Sequence, residues 1–278
     1  MHKSFKRKTA ILCLPAILGF AVFYILPFFK SIAYSFMKSS IDHTFVGVDN
    51  YKSVLSNEIF LMALKNTVIF SLISVTLAVM IALVISLALV KLSEKWSFLK
   101  AAFIMPYVLP SASIIFIWQA IFSTDTYFAL SEIETLADFF DILPLYLLFI
   151  WKNIGICIIL ITAAIIKVNP EVYDAAAVDG SSGLHTHIKI TLPMISPSLF
   201  FVIVLSFVNS LKIFKESYLF YNTNYPPDVA YMVQNYMNNH FYKLNYQNLS
   251  CAVVIFTFVL GLIIFALYRL ENKMSDYT

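Results

Sequence analysis

Lys152 is the sharpest chemical feature of this sequence. It is the one charged side chain inside long apolar stretches, in the run Ile150-Trp151-Lys152-Asn153-Ile154. An ammonium in such surroundings is costly unless water, an acid or carbonyl groups face it. No Asp, Glu or His shares those stretches, so water or backbone carbonyls are the partners to expect. Lys152 either lines a polar pathway or extends its stem to the membrane surface. Asn153 and Asn209 can bind hydroxyl groups or a neighbouring helix. Tyr218 opens a second polar-aromatic region, Phe214 to Tyr246, where ten aromatic residues alternate with Asn and Gln. Aromatic faces beside amides suit sugar C–H surfaces and hydroxyls; the same composition also suits an interfacial belt.

The catalytic inventory is empty by the same reading. None of the six glycines is followed by Lys, which excludes a phosphate-cradling G-x-x-x-x-G-K-[ST] loop. Histidines 2, 43, 185, 187 and 240 all lie outside the apolar stretches, which removes a Ser–His pair or a His-ligated metal from within them. Cys13, Cys157 and Cys251 are odd in number and lack C-x-x-C spacing, so neither a disulfide framework nor a zinc site is indicated. No catalytic residue, metal or resident cofactor is expected.

The elements holding these residues follow from composition. Of 278 residues 60% are hydrophobic and 13% charged, against roughly 45–50% and 25% in soluble domains. Six stretches of spanning length are predicted as transmembrane helices at about 9–29, 67–90, 101–122, 142–166, 193–211 and 249–268. This gives an all-α polytopic membrane protein forming one domain over 1–278. Prolines 15, 27, 106 and 110 are placed to kink or break these helices. The first stretch imitates a secretory signal, but its length and prolines favour a retained span. With the N-terminus inside, inner segments hold eleven cations and six acids, outer segments seven and ten. Positive-inside therefore places both termini in the cytoplasm. The acidic outer loop 123–141 is either a docking face or simply solvated, and the mild net charge of +3 gives no reason to invoke nucleic acid.

One inner loop, residues 169–192, has its own architecture. Asn169 is a good N-cap, Pro170 suits the first helical position, and Glu171 and Asp174 complement the helix dipole. Ala175, Ala176 and Ala177 add almost no bulk, and Gly180 can end the helix at positive φ. Ser181 or Ser182 can cap a second short turn leading to Ile190, Leu192 and Pro193. The result is a compact helix-turn-helix with a small-residue face that another protein can approach closely.

Asp174-Ala175-Ala176, then Gly180, then nine residues to Ile190-x-Leu192-Pro193, resembles the E-A-A-x-x-x-G-x9-I-x-L-P signature of ABC-importer permease subunits. Further segments look more specifically like the sugar-importer permeases of the maltose and glycerol-phosphate type. They are Phe45-Val46-Gly47-Val48-Asp49-Asn50-Tyr51, Asn66-Thr67, Leu109-Pro110, Trp151-Lys152-Asn153-Ile154-Gly155 and Tyr246-Gln247-Asn248-Leu249-Ser250. The resemblance implies a type I importer permease fold in a bacterial or archaeal cell membrane, with loop 169–192 as the cytoplasmic coupling helix. It implies a second permease subunit, a pair of ATPase subunits that bind the ATP and Mg, an extracytoplasmic solute-binding protein and a sugar substrate. Glycerol phosphate or another polyol is the alternative substrate, and a self-sufficient carrier or channel the alternative class. Asp174 stands where the family usually has Glu, and Leu184 and His187 where it usually has aromatic residues.

Overall fold

The computed structural model describes residues 13–39, 41–90, 96–122, 137–181 and 183–275. Most of the acidic loop, 123–136, and Ser182 lie outside the described residues. Helix dominates, and apart from an isolated bridge between Met37 and Phe45 no strand pairing occurs among the described residues. Among the described residues, five helices are long and apolar enough to cross a membrane: α1 (Cys13–Ser35), α3 (Glu58–Leu89), α6 (Ala137–Ile166), α8 (Gly183–Tyr221) and the Tyr246–Asn272 part of α10 (Tyr246–Ser275). Two further apolar helices, α4 (Trp96–Val108) and α5 (Ser111–Phe122), are long and apolar enough only as a pair, and Leu99–Val108 and α5 are bent by 93° at the break between them. The chain is thus an all-helical, multi-pass membrane protein, as its composition predicts.

Proline explains the main irregularities. Pro110 has no N–H to continue the ladder and disfavours helix at Leu109, and α4 stops there. Five-residue π-turns, Ala21–Ile25 and His187–Thr191, each end two residues before a proline, Pro27 and Pro193. In each, the next amide bonds five residues back, Leu26 to Ala21 and Leu192 to His187. The wider turn resets the ladder just ahead of a residue that cannot donate to it.

The chain divides into two compact units. The first combines residues up to Leu61 with Tyr236–Val259. Its α1 buries none of its apolar window inside the chain, leaving side chains such as Phe23 and Tyr24 to lipid or protein neighbours. Between α1 and α2 (Asp49–Leu55), Asn50 Nδ2 donates to the carbonyls of Ser35 (3.0 Å) and Met37 (2.8 Å), and the Ser35 and Tyr51 hydroxyls meet at 2.6 Å. Asn50 and Tyr51 from the Phe45–Tyr51 motif therefore close this loop. At its tip, Asp42 accepts from the Thr44 hydroxyl and amide and pairs with Lys38, which holds its carboxyl at about 2. In α9 (Val233–Tyr242) the His240 ring lies 4.3 Å from that of Tyr236. Burial, then nearby Lys243, keeps the His240 imidazole below its ordinary range.

The second unit, Met62–Asn235 with Leu260 onward, holds the principal core. α3, α4, α6 and α8 pack around buried Phe70, Phe149, Ile158, Ile161 and Val202. α4 and α6 meet very closely at Gly155, where a Cβ would stand 1.7 Å from the Phe103 carbonyl oxygen. Small residues allow such backbone approach in membrane bundles. Short hydroxyl and thiol contacts cross the same core: Ser210 to Ser71 at 2.8 Å, Ser86 to the Ile158 carbonyl at 3.2 Å, and Cys157 with Ser206 at 3.2 Å. Asn66 and Thr67 hold the returning segment after α8. Asn66 Nδ2 donates to the carbonyls of Asp228 (2.7 Å) and Tyr231 (3.1 Å), and Thr67 Oγ1 accepts from Val233 N (2.9 Å).

Candidate functional site

Lys152 projects from the middle of α6 into a cavity of about 340 Å³ within the second unit. The expectation that it lacks an acidic partner is overturned. Its Nζ donates to Glu216 Oε1 at 2.6 Å and to Ser111 Oγ at 2.7 Å, while Ser111 Oγ donates to the same carboxylate oxygen at 2.8 Å. The side chains of Lys152 and Glu216 are only 18% and 11% exposed. Ionic hydrogen bonds in a closed triangle are the arrangement that makes a buried charge pair tolerable.

Glu216 lies beyond the predicted fifth stretch, which ends at residue 211. In fact α8 continues through a tight turn at 211–213 into Phe214–Tyr221. Positions 209, 212 and 216 then recur at helical spacing, so Asn209, Lys212 and Glu216 line the cavity together. That period was the available signal for Glu216. Ser111 enters through the break at Pro110, which starts α5 beside the cavity; nothing in its local sequence distinguishes it from other membrane serines.

Of the predicted pathway residues, Lys152, Asn153 and Asn209 line this cavity, whereas Tyr218 does not. Asn209 Nδ2 donates to Asn153 Oδ1 at 3.2 Å, and Asn153 Nδ2 to the Phe149 carbonyl at 2.9 Å. Both asparagines are thereby fixed in orientation. Tyr218 is 41% exposed, with its ring 6.2 Å from Phe214. Tyr107, Lys212 and Lys215 also face the cavity. Gln119 Nε2 braces this end of α8 through the carbonyls of Leu219 (3.2 Å) and Phe220 (2.8 Å), and the Tyr221 hydroxyl donates to the Asp141 carbonyl.

The second group of predicted residues lies on the segment 169–193, which leads from α6 into the first turns of α8. α7 (Pro170–Val178) starts at Asn169, whose side chain accepts from the Glu171 amide at 3.1 Å. It ends in a Schellman closure: Gly180 N donates to Ala177 O (3.1 Å) and Ser181 N to Ala176 O (2.9 Å), with Gly180 at φ +76°. Ser181 and Thr186 hydroxyls meet at 2.9 Å, and Thr191 Oγ1 lies 3.2 Å from Tyr173 Oη and 3.3 Å from His187 Nδ1. These contacts fold the segment back on itself. Ala176 is buried, Asp174 and Ala175 are exposed, and Val178 and Leu184 stand 88% and 74% exposed. Ala176, Gly180 and Ile190 share an open concavity of about 500 Å³ with Asp179, His185 and Lys189. Leu192 packs on the core, and Pro193 begins the straight part of α8. Two exposed apolar side chains beside a concave small-residue surface can receive another protein. Among the described residues no cluster of three or more His, Cys, Asp or Glu is placed to hold a metal.

A permease of Mycoplasma genitalium, carrying the description "probable ABC transporter permease protein", is 30% identical over 225 residues, covering 74% of this chain and 68% of that protein. The arabinooligosaccharides transport system permease protein of Halalkalibacterium halodurans is 27% identical over 269 residues, 92% of this chain and 84% of that protein. In fold, the chain is similar to a solved bacterial alginate ABC transporter in complex with an alginate pentasaccharide-bound periplasmic protein. The TM-score is 0.77 and identity 21%, with 99% and 98% of the two chains covered. The sequence profile of the binding-protein-dependent transport system inner membrane components matches residues 97–274. That match takes in both the cavity and the Asn169–Pro193 loop, and the chain belongs to this family of transport-system membrane components.

Proposed function

We propose that this chain is the transmembrane subunit of an ATP-driven, binding-protein-dependent importer of sugars or short oligosaccharides. The observation that carries this reading is the near full-length similarity to an arabinooligosaccharide permease. A trehalose/maltose permease of Thermococcus litoralis is similar over 91% of this chain and supports the same substrate class. In this reading both termini lie in the cytoplasm of a bacterial or archaeal cell. A solute-binding protein delivers sugar at the outer face, and the cavity beside Lys152, Asn153 and Asn209 forms part of the path. A second permease subunit supplies the other half. Loop 169–192 is the coupling element, docking to an ATPase subunit through Asp174, Ala175, Ala176 and Gly180, with Ile190, Leu192 and Pro193 passing its motion into α8 as a rigid-body displacement. ATP and Mg are held by the ATPase subunits, and this chain supplies no catalytic group.

The loop offers a specific test. A Cβ at Gly180 meets nothing within 4 Å in this chain, although φ +76° strains any L-residue there. Gly180→Ala therefore reports the strain alone, and Gly180→Trp adds bulk that only a docked partner would feel. Expected in proteoliposomes containing the assembled importer is loss of ATP-driven sugar uptake for Gly180→Trp, with normal membrane insertion and a much milder defect for Gly180→Ala. Normal uptake by the Trp variant removes the coupling assignment. Uptake by this chain alone, without ATPase or binding protein, assigns it instead to self-sufficient carriers or channels.

A further inference from the structure

We propose that the cavity takes an anionic saccharide, one carrying a carboxylate or a phosphate group. This rests on the importer reading and specifies its substrate. Three ammonium groups line the cavity, Lys152, Lys212 and Lys215, against the single carboxylate of Glu216. That carboxylate is already committed. Its Oε1 accepts from both Lys152 Nζ (2.6 Å) and Ser111 Oγ (2.8 Å), so it neutralises Lys152. Lys212 and Lys215 stand one turn apart on α8, both exposed, and neither has an ion-pair partner among the described residues. The wall therefore carries an excess of two positive charges.

Like charges three residues apart on a helix repel, and a concave wall of one sign focuses its field on whatever enters. A neutral sugar leaves that repulsion in place, whereas an anionic group between the two lysines relieves it. Asn209, one turn before Lys212 on the same helix, offers an amide for neighbouring hydroxyls. The volume of about 340 Å³ sits at the lower end of small-molecule sites, roughly 300–1,000 Å³. It fits a small acidic sugar or the acidic end of a longer one.

The test is binding to the complete purified importer in lipid nanodiscs, measured by calorimetry with four probes. These are trigalacturonate, neutral galactotriose of matched length, glucose 1-phosphate and inorganic phosphate. Expected is at least about tenfold tighter binding of trigalacturonate or glucose 1-phosphate than of galactotriose, a preference that shrinks at high salt. Which acidic probe binds tighter identifies carboxylate or phosphate as the recognised group. The preference persists in Lys212→Arg/Lys215→Arg and disappears in Lys212→Gln/Lys215→Gln, which changes exposed positions and spares the buried ion pair. Equal binding of acidic and neutral sugars, binding of neither, an unchanged preference in the Gln variant, or inorganic phosphate binding as tightly as either acidic sugar overturns the assignment. The importer reading is scored separately: ATP-driven galactotriose uptake by the same complex preserves it whatever the charge preference, and failure of any ATPase to co-purify removes it.

Discussion

The cavity around Lys152 and the loop 169–192 belong to the same compact unit and are built on opposite principles. The cavity joins side chains distant in sequence: Lys152 and Ser111 are 41 residues apart, Lys152 and Glu216 are 64 apart. Its ion pair is shielded, and its geometry exists only if α5, α6 and α8 are packed. The loop is held by contacts within about 20 residues, from the Asn169 cap to Tyr173 with Thr191, and its apolar side chains Val178 and Leu184 are exposed. Damage to the cavity should therefore spread to the bundle. Damage to the loop should stay local and appear as lost communication with a partner.

The largest expected effect is on the ion pair. Lys152→Ala leaves Glu216 buried and uncompensated, at a cost of about 3–5 kcal/mol. Thermal melting of the detergent-solubilised importer should fall sharply, and the Lys152→Met/Glu216→Met double variant should recover most of the loss. If the single variant melts like the wild type, the cavity is not the stability-critical region. Gly155→Ala comes next, because its Cβ must push the Phe103 carbonyl away and part α4 from α6. Overpacking of this kind costs about 1–3 kcal/mol, so faster hydrogen exchange is expected along both helices. Unaltered exchange would contradict the close approach. Asn169→Ala probes the loop: removing the N-cap costs about 1 kcal/mol, confined to α7. Uptake should drop while the melting temperature barely moves; a large fall in melting would erase the contrast between the regions.

The smallest effect serves as a control in the first unit. His240 is held below its ordinary imidazole value, so the folded state binds fewer protons than the unfolded chain as pH falls past about 6.5. Stability is fully present above that pH and declines as pH drops towards the depressed folded value. A decrease on the order of 2 °C in melting is expected over that window. His240→Gln should flatten it, and an unchanged pH profile in the variant would assign the dependence to other groups.

Much of the molecule was legible before any coordinates. Apolar stretches of bilayer length had to become helices, because lipid cannot satisfy an open backbone. Pro110 had to interrupt one of them. The loop was readable almost residue by residue, since caps, proline at the first helical turn and glycine at positive φ are rules about neighbours in sequence. Asn169, Gly180 and Ser181 obey them.

The cavity was readable only in part. Lys152, Asn153 and Asn209 betray themselves as polar residues in apolar runs, but Glu216 lies five residues beyond residue 211, where the predicted stretch ends, and α8 continues past that point to Tyr221. Ser111 gave no sign at all. Residue types and their spacing establish that the chain lives in a membrane and how the 169–192 loop is shaped, because both follow from hydropathy or short-range backbone chemistry. Tertiary packing alone brings Glu216 to Lys152 and sets Lys212 and Lys215 on the same cavity. Pairing across 64 residues depends on how three helices pack, and packing in a membrane bundle is set by close contacts such as Gly155 on Phe103 that composition does not encode.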